Sequence, residues 1–539
     1  MQERSDSPSR PSSVACLPCR RRHVKCDAIM PVCTRCQITT AECQYVRSRR
    51  GLRQHSRNIS SQPIDENDFS ISTDVLPDWL GDLSPSDLDI DVNRSLFPPL
   101  QTHTSQEITL PEDRPVALLE PELATPEMVA YDPIIQLYYQ NFHHSHPVII
   151  PRKALSSSIC YLIPPPLLSI MRYVGAHYHP NPSLQEAYRQ EAFNSLSSPI
   201  LQDGFKVQAL LLLAIVDHSH CHEQNAHRLI QMADNLALEI GLNNECFAGN
   251  NSHGHSVLEE SWRRTYWELY VVDGLLAAMR EQTSFRLYHQ PANVQLPCAE
   301  RMYNHDSVIS TGQTLEDIRN DGTLGQDFST FAYRVGAVQK LGTVLELNRS
   351  LECNLGSQIE TLEAYLASAF MALPPLHGDG YDSSCQDEMV FQAQMTLYLA
   401  LIYLHHPRSS IRFASFHSNP PTSCTRVKPA EESASEPRPT QTLDLHAHKL
   451  LRAADLLSGL ATLPSAIHHR SPFFTCALAM CTIVHTAALL VVPGSGKEDA
   501  LKARIQLSIG ALKALGKIWP LSHIVRQQMV DMYQQVVRK

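Results

Sequence analysis

Six cysteines near the amino terminus follow a repeated spacing that constrains this segment more than any other feature of the chain. They form C-x2-C-x6-C twice, with six residues between the copies, at Cys16, Cys19, Cys26, Cys33, Cys36 and Cys43. Thiolates are soft ligands that suit Zn²⁺, which prefers four of them in a tetrahedron. Six thiolates complete two tetrahedra only if two of them bridge both metals. The spacing therefore predicts a cluster of two zinc ions.

Simpler interpretations of the cysteines remain open. The first two cysteines of each copy alone give C-x2-C-x13-C-x2-C, which fits a single zinc site and leaves Cys26 and Cys43 without a role. Chance clustering and a disulfide framework would also account for so many cysteines in a short segment. Disulfides are disfavoured because the chain starts without an apolar signal sequence, and because its other nine cysteines are scattered singly, as in a reduced compartment.

A run of cations lies between the second and third cysteines, with the sequence Arg20-Arg21-Arg22-His23-Val24-Lys25. Six thiolates and two Zn²⁺ carry a charge of about −2, which adjacent cations offset. Residues 1–57 contain twelve Lys or Arg and four Asp or Glu, so they carry +8 in a chain of net charge −10, and the remainder carries −18. This asymmetry indicates a head that binds nucleic acid on an acidic body. A solvated surface or a bare nuclear import signal is the alternative.

This pattern resembles the fungal binuclear zinc cluster (Zn₂Cys₆) DNA-binding domain, the class that includes the yeast galactose regulator. The resemblance covers residues 16–43 and rests on the six ligands, the basic run, Pro31 two residues before the fourth cysteine and Arg35 just before the fifth. It implies two bound Zn²⁺ ions and two short helices. The helix that begins near Cys19 would enter the major groove of double-stranded DNA at a CGG triplet.

The resemblance also implies a role for each cysteine. Cys16 and Cys33 would bridge the two metals. The remaining ligands would form two pairs, Cys19 and Cys26 for one zinc ion, and Cys36 and Cys43 for the other.

The same resemblance implies contacts with DNA. Arg22 and His23 would lie nearest the bases, whereas Arg20 and Lys25 would meet phosphates, which position the protein without reading sequence. His23 departs from the family, which usually has Lys there, because a neutral imidazole lacks the permanent charge. The departure bears on the strength of the triplet contact and not on the fold. The whole implied DNA-binding set is Arg20, Arg21, Arg22, His23, Lys25 and Arg35.

Two segments flank the cluster. Residues 1–15 are expected to form a disordered arm, and residues 44–57 a basic linker that continues along the DNA backbone or serves nuclear import. Family members often carry a coiled coil next, but residues 54–100 have no sustained heptad and contain five prolines that would break one. The chain is therefore expected to bind DNA as a monomer or to form a homodimer through its large domain.

Residues 58–125 are rich in Ser, Asp and Pro, which predicts a disordered linker. Within it, residues 65–91 contain nine acidic residues and no basic ones, together with bulky apolar side chains. Acidic charge keeps such side chains solvated until a partner groove accepts them, which is typical of an activation segment that binds transcriptional coactivators. An ordinary acidic linker is the alternative. The anchors of the candidate activation segment are Leu76, Trp79, Leu80 and Leu83.

From about residue 130 the chain is apolar with helical periodicity, which predicts an all-helical domain. The run 205–215 is apolar nearly all round and should be buried, and the next helix should stop at Gly241. No run is judged long and uncharged enough to span a membrane. The Ser/Pro/Thr-rich stretch 407–441 is expected to be a flexible insertion before C-terminal helices over 442–539. Further helices are predicted at 262–279, 328–347, 359–370, 389–405, 443–460, 473–491 and 501–518.

Pieces of the regulatory domain that is common behind fungal zinc clusters are recognisable within 130–410. They are Tyr138–His143 with His146-Pro147, Trp262–Trp267 with Asp273, and Val294–Pro297. The resemblance implies an all-helical domain with room for an effector pocket. The predicted fold is a small binuclear zinc cluster head with two short helices and a large all-α regulatory domain, joined by a disordered acidic linker.

The central segment of this domain has a structural and a functional interpretation. Trp262, Tyr266 and Tyr270 are spaced by four, so they share a helix face and should fill the core. Arg263 and Arg264 have the chemistry to bind a ligand carboxylate. An arginine there more often pairs with an internal acid or caps a helix, and this structural interpretation is favoured.

A histidine-rich stretch, residues 217–227, is a weaker candidate for a metal site. His218 and His222 would be one helical turn apart, with His227 nearby, but the third ligand is ambiguous. Polar loop histidines explain the stretch without metal, and this interpretation is favoured.

Together these features predict a fungal, sequence-specific transcription factor of RNA polymerase II genes in the nucleus. An activator is favoured, and its short arm and missing zipper resemble regulators that serve one secondary-metabolite gene cluster. The alternatives are a repressor, or a ligand sensor or enzyme with a vestigial zinc head. An enzyme is not predicted, because no glycine-rich phosphate loop, nucleophile elbow or paired-carboxylate motif stands out.

Overall fold

The chain divides into two structural units, Met1–Asp74 and Val75–Lys539. The computed structural model describes residues 19, 26–27, 33–39, 126–199, 201, 203–304, 312–319, 328–349, 356–376, 387–413, 422–425, 443–464, 466–491 and 498–538. The expected arm (1–15), basic linker (44–57) and acidic linker (58–125), with the candidate activation segment, lie outside the described residues. In the first unit the described residues include one short helix, α1 (Thr34–Ile38).

The second unit is helical, and its described residues contain no β-strand, as the sequence predicted. Its helices are α2 (Pro126–Ala130), α3 (Pro133–Asn141), α4 (Pro165–Ala176), α5 (Ser183–Ser195), α6 (Asp203–Ser219), α7 (Glu223–Glu239), α8 (Glu245–Asn250), α9 (Ser256–Met279), α10 (Glu300–Asn304), α11 (Leu315–Arg319), α12 (Thr330–Leu347), α13 (Gly356–Ala372), α14 (Glu388–His405), α15 (Leu445–Gly459), α16 (Phe474–Val491), α17 (Glu498–Leu515) and α18 (Pro520–Val537). Short 3₁₀ turns lie at Arg152–Ser156, Ser158–Leu162, Arg286–His289, His406–Arg408, Leu460–Thr462 and Ile467–His469.

The longest described helix, α9, runs through the core of this unit. All of its 24 residues except Ser256 and Glu259 are buried, and it packs against α6, α7, α8 and α12. The predicted aromatic face is confirmed, because Trp262, Tyr266 and Tyr270 are all buried. A helix that is surrounded on all sides must pair its polar side chains internally, since an unpaired buried charge is costly.

The helix pair α6 and α7 follows the sequence pattern closely. Residues 207–219 of α6 are buried, as predicted for the apolar run, although Phe205 and Lys206 are partly exposed. Helix α7 ends in a Schellman motif, in which Gly241 adopts φ +75° and the Leu242 N–H donates to the Ala237 carbonyl at 2.8 Å. Glycine adopts this left-handed conformation without strain, so the predicted stop at Gly241 is confirmed.

Three of the longer helices in the second unit, α4, α5 and α18, were not predicted from the sequence, and neither were the short helices α2, α8, α10 and α11. Helices α4 and α18 each start at a proline, and α4 begins within the run Pro164-Pro165-Pro166. Such a run reads as a helix breaker in the sequence, although proline is favoured at the first position of a helix. Helix α5 is largely polar and buries only Ala192, so its apolar periodicity is weak. Helix α4 packs against α3 and α6, α18 packs against α16 and α17, and α5 packs against α4.

Helix α16 corrects the expectation that no run is apolar enough to span a membrane. Its 18 residues have a mean hydropathy of 2.0, so by length and composition it is long and apolar enough to cross one. In the structure 78% of it is buried, in contact with α15, α17 and α18. Burial on all sides accounts for this composition, because a helix inside a protein core meets the same apolar requirement.

The stretch 407–441, expected to be a flexible insertion, has buried residues in both of its described parts, 407–413 and 422–425. Ile411 and Phe413 are buried, and the Phe413 ring stacks on His406 at 3.6 Å between ring centroids. Residues 422–425 are also buried. Ile411, Phe413 and Cys424 belong to the buried core, and Thr422 and Thr425 hydrogen-bond to Gln528, so the stretch is not a loose insertion at these residues. Residues 414–421 and 426–441 lie outside the described residues.

Gly175 offers a test of how closely α3 and α4 approach. A Cβ there would lie 2.1 Å from the Ile134 carbonyl oxygen, which belongs to the backbone and cannot rotate away. We expect Gly175→Ala to destabilise the unit by about 2 kcal/mol or more, which circular dichroism melting of the full chain would detect as a lower midpoint. Gly249→Ala is the matched control, because α8 leaves open space at that position. Equal midpoints for the two variants would contradict the close approach.

Candidate metal centre and nucleic-acid interface

Helix α1 begins at a cysteine. Cys33 is its N-cap residue, with extended backbone at φ −68° and ψ 149°, and its Sγ accepts a hydrogen bond from the Cys36 N–H at 3.4 Å. The C-x2-C spacing thus places both buried thiols on the first turn of one helix. The Thr34 N–H also donates to the Asp27 carboxylate at 3.2 Å, which joins this helix to the residue after the third cysteine.

Three thiols from separate parts of the cysteine pattern converge in this unit. The Sγ atoms of Cys19 and Cys33 lie 3.7 Å apart, and those of Cys19, Cys26 and Cys33 all lie within 4.8 Å of one another. A zinc tetrahedron with Zn–S bonds of about 2.3 Å has sulfur–sulfur edges of about 3.8 Å. The described thiols therefore fit three corners of one zinc site.

The arrangement also fits a shared sulfur. Cys33 belongs to the group of Cys19 and Cys26, yet it shares a helical turn with Cys36, which the resemblance implied for the second zinc site. A donor set made only of thiolates suits zinc and not a hard cation such as Mg²⁺ or Ca²⁺. Cys16 and Cys43, the other two implied ligands, lie outside the described residues.

The implied DNA-binding set is described at one position. Arg35 is exposed on α1, between the buried Cys33 and Cys36, and its carbonyl accepts hydrogen bonds from the Thr39 N–H at 3.1 Å and the Thr39 Oγ1 at 2.9 Å. The exposed side chain is thus carried on a helix that is held at both ends. The other members of the set, Arg20, Arg21, Arg22, His23 and Lys25, lie outside the described residues.

In the helical unit, the central arginines form internal ion pairs, as the structural interpretation predicted. The fully buried Arg264 donates from Nε to Glu260 at 3.0 Å, from Nη1 to Glu300 at 2.5 Å and from Nη2 to the Cys298 carbonyl at 3.1 Å. Its guanidinium also lies 4.0 Å from the centre of the Tyr303 ring. These contacts occupy the guanidinium on several sides, which disfavours its use as a ligand-binding group.

Arg263 forms ion pairs only one helical turn away, on its own helix. It pairs with Glu259 and also with Glu260, at 3.4 Å in the second case. The two adjacent arginines therefore share the buried Glu260 carboxylate, and both arginine side chains are buried.

A second buried network was missed by sequence reasoning. Arg334 on α12 donates from Nη1 and Nη2 to the two carboxylate oxygens of Glu268 on α9, at 2.5 and 2.7 Å. The ring of His146 bridges Glu268 at 2.8 Å and the Ser471 hydroxyl at 3.0 Å. The side chains of Arg334, Glu268 and His146 are all 0% exposed. The network joins parts of the chain that are far apart in sequence, so no local pattern signals it.

Electrostatics fix the protonation states in this network. Burial acts to raise the pKa of Glu268, but Arg334 and the hydrogen bond from His146 outweigh it and lower that pKa to about 2. Burial lowers the pKa of His146, even though Glu268 opposes the shift. Glu268 is therefore ionised and His146 neutral near pH 7, with its Nδ1–H donating to Glu268 and its Nε2 accepting from Ser471.

The histidine-rich stretch does not assemble as one metal site. Helix α6 ends at Ser219, so His218 lies inside the helix whereas His222 lies beyond it and contacts Asp217 at 3.3 Å. His218 is buried, which corrects the interpretation that these are all polar loop histidines. The His218 Nε2 lies 3.4 Å from the Cys476 Sγ on α16. His222 and His227 do not join it in a group of ligand atoms, as a metal site shared by the three histidines would require.

A groove of about 460 Å³ at the start of α9 is the candidate for the effector pocket that the resemblance implied. Its lining includes Lys153, Ser157, His255, Ser256 and Asn304. The rest of the lining is largely apolar or aromatic, so the groove mixes polar and apolar groups as sites for small molecules do. These other residues are Pro151, Ala154, Ile159, Gly254, Val257 and Tyr303.

Two family models match the chain. The fungal Zn(2)-Cys(6) binuclear cluster domain matches residues 14–52, and the fungal specific transcription factor domain matches residues 135–335. These matches cover the residues that carried the two resemblances in the sequence.

Curated relatives extend the likeness beyond the two domains. The C6 finger domain transcription factor iacK of Pestalotiopsis fici is 31% identical over 557 aligned positions, which cover 97% of this chain and 80% of that protein. The tropolone cluster transcription factor tropK of Talaromyces stipitatus is 22% identical, over 76% of this chain and 82% of that protein. An uncharacterized transcriptional regulatory protein of Schizosaccharomyces pombe is 24% identical over 58% of this chain and 46% of its own length. No solved structure matches the chain.

The shared sulfur predicts unequal losses of metal. The intact chain should contain two zinc ions, because so short a segment folds on its metal and not on an apolar core. Cys26→Ala removes a ligand of one site and should leave about one zinc ion, whereas Cys33→Ala removes a ligand of both and should leave close to none. Metal analysis of the purified full chain measures this.

The exposed Cys246 supplies the control, and Cys246→Ala should retain both zinc ions. Equal zinc loss from Cys26→Ala and Cys33→Ala would rule out a bridging role for Cys33.

The buried ion pair predicts a large loss of stability. Arg334→Met leaves the Glu268 carboxylate buried without its main partner, which should cost about 3–5 kcal/mol. Arg319→Met is the matched control, because Arg319 pairs with Glu316 while their side chains are 38% and 65% exposed, and an exposed pair contributes about 1 kcal/mol at most. Denaturant unfolding of the helical unit within the full chain measures both.

The same pair sets a pH dependence. Since the pKa of Glu268 is about 2 in the folded chain against an ordinary 4.5, its ionised form contributes stability above pH 4.5 that is lost as the pH falls toward 2. Glu268→Gln should therefore unfold with a shallower dependence on pH in this window. An unchanged slope would show that Glu268 is not held ionised.

Proposed function

Since the chain belongs to the fungal Zn(2)-Cys(6) transcription factors, we propose that it recognises CGG-containing DNA and activates RNA polymerase II genes in the nucleus. The observation that carries the proposal is the convergence of the Cys19, Cys26 and Cys33 thiols. Zinc binding at these thiols would fold the segment 20–25 between two ligands and hold its cations against a DNA groove.

The proposed division of labour among the cations follows from what DNA presents. Bases are read by hydrogen bonds at their edges, and we assign this role to Arg22 and His23. Phosphates attract any cation regardless of sequence, and we assign this role to Arg20 and Lys25. The exposed Arg35 on α1, together with the charge of +8 over residues 1–57, supports a surface that attracts DNA.

The regulated genes are proposed to form one secondary-metabolite biosynthetic cluster. Support comes from the relative that is named a tropolone cluster transcription factor, 82% of which this chain covers. Deletion of the gene should therefore silence a contiguous set of biosynthetic genes in transcript profiles of the host. Loss of expression at scattered sites in the genome would contradict a role in one cluster.

Activation and dimerisation are assigned to other parts of the chain. The acidic segment 65–91 is proposed to bind coactivators, because it combines acidic charge with apolar anchors. The helical unit is proposed to mediate any homodimer, since residues 54–100 carry no sustained heptad. The family is one of transcription factors and not of enzymes, and no catalytic role is proposed.

The base-reading role of Arg22 predicts a loss that depends on sequence. Arg22→Ala should weaken binding to CGG-containing DNA by about 10- to 100-fold, and binding to scrambled DNA by much less. Lys25→Ala should weaken binding to both alike and reduce the slope of log affinity against log salt by about one. Anisotropy titrations of the full chain at several salt concentrations separate the two effects.

His23→Lys should tighten binding to CGG if the imidazole is a weaker contact. Both bound zinc ions must be retained in every variant compared. An equal loss on the two DNAs for Arg22→Ala would overturn its role in reading bases.

If residues 65–91 activate transcription, they should also do so when attached to another DNA-binding domain. Residues 65–91 fused to an unrelated DNA-binding domain should drive a reporter, because the anchors would enter a coactivator groove. Trp79→Ala with Leu80→Ala should abolish the output, since aromatic and aliphatic anchors dominate such interfaces. Asp78→Asn alone should cost little, because steering charge is spread over nine acidic residues. A silent fusion would make the segment a linker, and a repressed reporter would favour a repressor.

A further inference from the structure

Two cysteines and a histidine that are far apart in sequence meet in the core of the helical unit. Cys424 lies in the described part of the 407–441 stretch, Cys476 on the first turn of α16 and His218 near the end of α6. Cys424 and Cys476 are joined by a disulfide across a separation of 52 residues, with their Cα atoms 4.8 Å apart. That spacing falls in the range of about 4.4–6.8 Å found for disulfides.

The position of Cys476 favours reaction at its sulfur. It is the third residue of an 18-residue helix, where the backbone N–H groups favour a thiolate over a thiol. The Nε2 of His218 lies 3.4 Å from its Sγ, and the His218 ring stacks on Phe473 at 5.2 Å. In the docked state burial first, and then the charge of Arg280, lower the pKa of His218 to about 4, so its ring is neutral near pH 7. Cys424 lies beside this ring, so undocking of residues 422–425 would admit water, relieve the burial and make the ring a better proton acceptor.

Cys424 is brought to this position by a segment that is docked through its own hydrogen bonds. The hydroxyls of Thr422 and Thr425 donate to the side-chain oxygen of Gln528 on α18, at 3.2 and 2.8 Å. The Ser423 N–H donates to the carboxylate of Glu223, the first residue of α7. These contacts bring Cys424 to α16 independently of the sulfur–sulfur bond.

From this geometry we propose that Cys424 and Cys476 form a redox-active thiol–disulfide pair, with His218 as proton acceptor, that locks residues 422–425 onto the helical core. The nuclear compartment proposed for this protein is reducing, so a pair there must re-form its bond against a thiol pool. With both sulfurs almost fully buried in the docked state, the pair reacts when residues 422–425 are undocked, and docking closes the bond.

The chemistry balances with a small disulfide, such as glutathione disulfide, as oxidant. The proton of Cys476 passes to His218, and the thiolate attacks one sulfur of the small disulfide, which forms a mixed disulfide and releases one small thiolate. Cys424 then loses its proton and attacks the Cys476 sulfur, which forms the protein disulfide and releases the second small thiolate. The two protons lost by the cysteines end on the two small thiols, so two protein thiols are oxidised while one small disulfide is reduced.

The neighbouring Cys481 shows why the pair is selective. It lies on the same helix and is buried, but its Sγ contacts the Leu478 carbonyl and the Ser508 hydroxyl at 3.3 and 3.6 Å. Burial raises the pKa of the Cys481 thiol to about 12, so it holds little thiolate near pH 7. Cys481 thus contacts a carbonyl and a hydroxyl, whereas Cys476, five residues away on the same helix, lies beside a second sulfur and the His218 ring.

The test uses the zinc-loaded full chain, equilibrated in glutathione buffers between about −300 and −180 mV. After rapid alkylation, a tryptic digest without reductant is analysed by mass spectrometry for a link between peptides 413–426 and 471–497, which hold Cys424 and Cys476. The linked peptide should rise with potential through a midpoint inside this window. Cys424→Ser and Cys476→Ser should abolish it, and Cys481→Ser, a change in the same peptide, should leave it unchanged.

His218→Gln separates the histidine's role from simple folding. It should slow formation of the link at pH 7 by about tenfold or more while the midpoint potential moves little, because a proton acceptor affects the rate and not the equilibrium. Absence of the link at every potential would overturn the proposal, as would a link that persists throughout the window. A third zinc ion that is lost in Cys476→Ser would assign the three side chains to a metal site and also overturn it. DNA binding by the zinc head does not enter any of these readouts, so failure here leaves the proposed function standing.

Discussion

Charge buried inside a long helix is the constraint on which the helical unit depends. Helix α9 carries Glu260, Arg264 and Glu268 into the buried core, where an unpaired charge costs several kcal/mol. Each finds its counter-charge or a hydrogen-bond partner within the unit, and the Glu268 partner, Arg334, lies 66 residues away. Because these partners come from separate parts of the chain, the fold is complete only when those parts are in register.

The two units reach stability by different physical routes. The helical unit buries apolar surface on many helices and uses ion pairs to set how they fit together. The head has few apolar residues to bury, and its described cysteines converge on a position that suits a metal ion. Loss of zinc would therefore remove the fold of the head, whereas the helical unit depends on packing and on its internal ion pairs. A DNA-reading surface built in this way is conditional on metal supply.

Local sequence patterns predicted much of this structure, and each prediction that failed has a physical reason. The spacing of the cysteines predicted a cluster of two zinc ions, because ligand chemistry fixes how many thiols one metal needs. The family resemblance assigned Cys19, Cys26 and Cys33 to one of them, and the Sγ atoms of these three residues lie together in the structure. Helical periodicity located most helices but missed α4 and α18, where prolines at the start conceal a helix. The same periodicity could not separate a core helix from a membrane span in α16, since both are apolar all round. Long-range pairs such as Arg334–Glu268 and Cys424–Cys476 have no sequence signal at all, because only the folded chain brings their members together.

The hydrogen bond at the start of α1 bears on how the head withstands electrophiles. In the proposed cluster the Cys33 sulfur would share its electron density with two dications and with the Cys36 N–H that already points at it. A sulfur whose lone pairs are engaged in this way is a poor nucleophile, and alkylating or oxidising agents would meet the terminal thiolates first. Alkylation or oxidation would thus damage the terminal cysteine ligands first, and the Cys33 sulfur, which would bridge the two zinc ions, would react last.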